Sequence, residues 1–76
     1  MAYSYNAYTV HGNDDGTIGV FSSWAKATKC ALDYCGDNAH EDRTDYSQGG
    51  DLDRNWDVRH FDGDMSGASI TRWVVR

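Results

Sequence analysis

The chain has 76 residues, with seven Lys or Arg against twelve Asp or Glu for a formal net charge of −5, and ten aromatic side chains. A chain this short makes one domain with one small core, burying about 60% of the surface that it exposes when unfolded, and its aromatic content excludes general disorder. The charge sign excludes direct binding to a DNA or RNA backbone, which takes a basic footprint, because the basic residues are only the pair Lys26/Lys29 and scattered arginines such as Arg59, Arg72 and Arg76.

From the N-terminus, residues 2–11 alternate Tyr with polar residues and lack both a basic start and an apolar run. They predict a strand, neither a signal peptide nor a membrane span, and a cytoplasmic protein. Gly12-Asn13-Asp14-Asp15-Gly16 is a turn signal, with Gly16 suited to the left-handed position of a three-residue hairpin loop. Pairing Asn13 with Thr17 sets Val10 opposite Val20 and Gly12 opposite Ile18, so that Tyr8, Val10, Ile18 and Val20 form the inner face.

Ser22 or Ser23 then caps a helix running from about Ser23 to Cys35, in which Trp24, Ala27, Ala31 and Tyr34 recur as a buried stripe and Gly36 supplies the stop. Cys30 and Cys35 both lie on this helix, about 140° apart around its axis, so they diverge and stay as packing thiols.

Between Asp37 and Asp57 stand seven acidic side chains (Asp37, Glu41, Asp42, Asp45, Asp51, Asp53, Asp57) and two basic ones (Arg43, Arg54). Without periodicity, the part from about 37 to 53 reads as an acidic loop, long for a compact domain, whose field attracts basic surfaces and repels phosphates. Beyond it, Arg54 to Phe61 alternates with Trp56 and Val58 on one side, Asp62 to Gly67 turns the chain, and Ala68 to Val75 is the last strand.

The predicted order is β-β-α-β-β, an α+β fold of about four antiparallel strands with one helix packed on one face. Its core is Trp24, Ala27, Ala31, Val10, Val20, Trp56, Val58 and Ile70. Parity sends Tyr3, Tyr5, Phe21, Phe61, Trp73 and Val75 to the opposite face, an apolar patch of the kind that marks a partner surface or a homodimer interface. A bulge that tucks several of these into the core is the competing arrangement.

No catalytic constellation stands out, and the expectation is a protein that is not an enzyme and has no cofactor. Asp62-Gly63-Asp64-Met65-Ser66-Gly67 matches the first half of a calcium loop, yet Trp73 stands where its bidentate Glu belongs, so a hairpin turn is the better reading. His11, His40 and His60 form no pair at zinc-ligand spacing. Nothing sets Cys35 beside a base, and a helix C-terminus disfavours the thiolate.

A short, acidic, Pro-free, aromatic-rich chain with a hairpin, the Ala-rich helix Trp24-Ala25-Lys26-Ala27-Thr28-Lys29-Cys30-Ala31-Leu32 and a second hairpin resembles the small proteins with which bacteriophages disable host machinery, anti-CRISPR proteins in particular. The resemblance lies in architecture and charge and carries no motif. It implies an inhibitor, monomeric or homodimeric, that blocks a basic nucleic-acid-binding surface of a host complex with carboxylates in place of phosphates. The residues expected to bind the partner are Asp42, Asp45, Asp51 and Asp53 of the acidic loop and Tyr3, Tyr5 and Trp73 of the aromatic face. The alternative is a structural or oligomerising module that uses that face.

Overall fold

A computed structural model describes residues 5–47 and 56–75. Strands β1 (Tyr5–Gly12) and β2 (Gly16–Phe21) lead into helix α1 (Trp24–Cys35), and β3 (His40–Ser47), β4 (Trp56–Asp62) and β5 (Gly67–Val75) follow. The five strands form one antiparallel sheet in the order β2-β1-β5-β4-β3, with α1 across one face. The α+β class and the single helix match the sequence reading, while the strand count rises to five. The addition is β3, half of what reads as an acidic loop. It lies at the edge of the sheet, where charged side chains stay solvated and discourage further pairing, so it needs no apolar alternation to mark it.

Ser23 caps α1 as expected, its Oγ accepting from the Lys26 N–H at 3.3 Å, and Gly36 ends it at φ 86°, a conformation that a side chain would strain. Small Ala27 and Ala31 let the helix sit close on the sheet, where they meet Val10 and Ile70, all four fully buried together with Cys35. Tyr8, Phe61 and Ala68 complete the core, and Trp24, half-buried at the first helical turn, packs on Tyr8 with ring centroids 4.8 Å apart. At the other end of the helix the Tyr34 ring lies against Gly12, where a Cβ would come within 2.5 Å of it.

A bulge overturns the expected register of the first hairpin, and strand parity overturns the expected faces of the second. The first turn is Asn13 to Asp15, so Gly12 pairs with Gly16, and the register then shifts at Ile18 to set Val10 opposite Gly19 and Thr9 opposite Val20. The extra residue keeps Ile18 packed against the core but turns Val20 outward, 63% exposed, and turns Phe21 inward opposite Tyr8. In the second hairpin Phe61 pairs with Ala68 and is 5% exposed, so parity puts Val58, opposite Thr71, on the face without the helix. Val20 and Val58 are therefore not core, and Phe21 and Phe61 are not on the outer face. The side chains of Trp56, Tyr5 and Val75, and all of Tyr3, lie outside the described residues. No described helix is long and apolar enough to cross a membrane.

Candidate functional site

Strand direction alternates along the chain, so the β1–β2 turn, the segment after α1 and the β4–β5 turn all come to the same end of the sheet. Hydrogen bonds tie them together. Tyr34 Oη donates to Asp15 Oδ2 at 2.9 Å and accepts from the Asp14 N–H at 3.1 Å, fixing the first turn to the helix. Ser66 Oγ donates to Asp14 Oδ2 at 2.9 Å, and the Asn13 N–H donates to the Gly67 carbonyl at 3.0 Å, fixing the first turn to the second.

The β4–β5 turn spends its N–H groups on the helix end. Met65 and Ser66 donate to the Cys35 carbonyl at 2.8 and 3.4 Å, and Asp64 donates to the Asp37 carbonyl at 2.9 Å, satisfying acceptors that a helix C-terminus leaves open. Gly63 is required there, because a Cβ would lie 2.7 Å from the Cys35 carbonyl oxygen. Asn38 Nδ2 donates to Asp64 Oδ2 at 2.9 Å, and the Gly63 N–H donates to Asp62 Oδ1 at 3.0 Å. The segment that resembles half a calcium loop thus serves as a hairpin turn and a helix cap.

This end carries Asp14, Asp15, Asp37, Asp62 and Asp64, all exposed, and none pairs with a Lys or Arg among the described residues. The helix directs its C-terminus here, adding about half a negative charge from its macrodipole, and no basic residue stands in its last turn. The field reaches inward. Burial pushes the Cys35 thiol above its ordinary value and the Asp62 carboxylate pushes it further, with a backbone hydrogen bond at Ala68 opposing, while burial and Asp33 raise Cys30. Both cysteines are free, as helix geometry requires.

Of the acidic residues singled out from sequence, Asp42 and Asp45 lie exposed on β3, and Asp51 and Asp53 lie outside the described residues. Asp42 is the extra residue of the β3 bulge, beside a cleft of about 260 Å³ that it lines with Asn13, Arg43, His60 and Asp62. Asp45 is engaged locally, accepting from His60 Nε2 at 2.8 Å and lying 3.6 Å from Arg43. Of the aromatic residues, Trp73 is 42% exposed on the face without the helix. Among the described residues no group of three or more His, Cys, Asp or Glu is arranged to hold a metal ion.

Sequence reasoning missed the gathering of Asp14, Asp15, Asp37, Asp62 and Asp64. Its signal was available in Asn-Asp-Asp-Gly, Gly-Asp-Asn and Asp-Gly-Asp, turn sequences at alternate connections of an up-and-down chain. Comparison with protein-family models, curated proteins and solved structures found no match to this chain.

Proposed function

We propose that this protein is a small acidic binder that occupies the basic, nucleic-acid-binding surface of a host complex and inhibits it, a phage-encoded inhibitor of the anti-CRISPR type working in the host cytoplasm. The observation that carries the reading is the set of carboxylates on three connections at one end of the sheet, without Lys or Arg partners among the described residues. Hydrogen bonds among the turns hold their spacing, so the end meets a basic groove already organised, which lowers the ordering cost of binding. Asp42 extends the acidic surface down β3 toward Asp45, and Asp51 and Asp53 belong to the same reading from sequence.

The test uses Asp→Asn replacement at positions 37, 42, 62 and 64, singly and together, with folding checked by circular dichroism. Tagged protein is used to capture partners from host lysate at low and high salt, and captured nucleic-acid-binding proteins are assayed for competition with their nucleic acid. Binding by the parent protein should weaken as salt screens the charges, and the quadruple variant should lose at least tenfold in affinity while remaining folded. A folded quadruple variant that competes as well as the parent at both salts rejects the reading. The exposure of Val20 and Trp73 favours a second reading, in which the sheet face associates with another protein surface.

A further inference from the structure

The charges of the central strands lie on the wrong side of the sheet for a face that only meets water. Antiparallel sheets with one covered face place apolar residues under the cover and polar ones outside. Here Arg59 and Arg72 stand on the helix side, Arg59 with its guanidinium 3.9 Å from the Trp24 ring centroid and Arg72 bonded to Asp57 at 3.0 Å. The uncovered face holds instead the row Val20, Thr9, Thr71, Val58, Asp45, which crosses all five strands in register. His11, Ser69, His60 and Arg43 form the next row, and Ala7 with Trp73 begins the third.

Among the described residues, the Lys, Arg, Asp and Glu side chains that parity places on this face are Arg43 and Asp45 of the edge strand β3 and Asp62 at the turn end of β4. Asp45 and Arg43 lie 3.6 Å apart and Asp45 also accepts from His60, so the charges on β3 offset each other, and Asp62 stands at the turn-end margin, leaving the middle of the face without charge in a protein of net charge −5.

We propose that this face is a homodimer interface, with a second copy of the chain packed on it sheet against sheet. Size permits it. Five strands spaced about 4.8 Å apart and about 23 Å long give a face of roughly 550 Å² in projection, and side-chain relief brings it near the ~800 Å² per partner of standard stable interfaces. Charge selects the occupant. A copy of net charge −5 is repelled wherever carboxylates stand, and this face is the broad surface that keeps them at its margin. Among the described residues a basic partner finds few carboxylates here, and a nucleic acid finds Arg43 as its one Lys or Arg. Two-fold packing of twisted sheets about 10 Å apart lays the Val20-to-Asp45 row of one copy across that of the other, with Thr71 near the centre.

The inference is independent of the acidic surface and is tested without a partner. Sedimentation velocity on the purified chain, from low to several hundred micromolar, should show the mass rising from 8.5 kDa to twice that value. The dimer should tighten with salt, which screens like charges, whereas partner binding by the carboxylates should weaken. Thr71→Lys and Val20→Lys, each confirmed folded by circular dichroism, should shift the dimer to at least tenfold higher concentration, and Asp37→Asn should not weaken it. A parent chain monomeric throughout at both salts, or a dimer that persists in folded Thr71→Lys and Val20→Lys variants, overturns the proposal. The second result includes dimers formed through the β2 edge.

Discussion

Cys30 and Cys35 show how position sets the chemistry of one residue type on one helix. Cys35 is fully buried and Cys30 half-buried, and the thiolate of each is disfavoured first by burial and then by a nearby carboxylate. The folded protein therefore holds both thiol protons more tightly than the unfolded chain does. This contribution is fully present below the ordinary thiol value of 9.0 and is lost as pH rises through it toward the folded values. Thermal stability should fall above that pH, and the fall should be shallower in Cys30→Ala/Cys35→Ala, followed by melting at stepped pH. An equal slope in the double variant would assign the alkaline loss to other groups. That these residues remain thiols was legible in the sequence, because five positions on a helix set two side chains apart. The carboxylates that reinforce the effect were legible only in part, since Asp33 is a helix neighbour of Cys30 whereas Asp62 reaches Cys35 through the tertiary fold.

At the scale of elements, the helix was readable to within a residue because three independent signals agree: a capping Ser23, a stripe of small and aromatic residues, and Gly36 at the stop. The strands were readable as strands but not in register. A period of two means that one extra residue reverses every side chain beyond it, and the extra residues Ile18 and Asp42 carry no local mark. In the second hairpin the choice between Val58 and Phe61 as the buried partner depended on turn length alone. The structure makes this choice measurable. Phe61→Ala should cost about 3–5 kcal/mol in urea denaturation at low protein concentration, enough to unfold much of so small a domain. Val58→Ala should cost about 1 kcal/mol or less, the value of a cross-strand contact on an uncovered face. The reverse ranking would restore the register in which Trp56 and Val58 face the helix.

The whole molecule separates its charges by direction, with carboxylates gathered at the turn end, Arg59 and Arg72 on the helix side of the central strands, and the middle of the far face without charge among the described residues. Once β3 is recognised as a strand, the parity of connections brings the three acidic turns together. The sequence hides that step, because His40–Ser47 is charged along its length and sits at an edge. The arrangement opposes local stability, since carboxylates are favoured at helix N-termini and disfavoured at C-termini. Asp37, exposed just past Gly36, is the clearest case, its backbone carbonyl accepting from the Asp64 N–H and its position two residues beyond the last residue of α1. Asp37→Asn preserves that backbone bond and removes the charge, so it should stabilise the fold by about 0.3 kcal/mol, the low end for an exposed group beside a helix terminus. Salt should raise the melting temperature of the parent by screening the same repulsion, and raise that of Asp37→Asn less. Under the proposed function the same replacement weakens association with a basic partner, so stability and binding move in opposite directions. A loss of stability in Asp37→Asn at low salt would mean that this carboxylate is held by a favourable contact, and the account of the acidic end as a field assembled against the helix would fail.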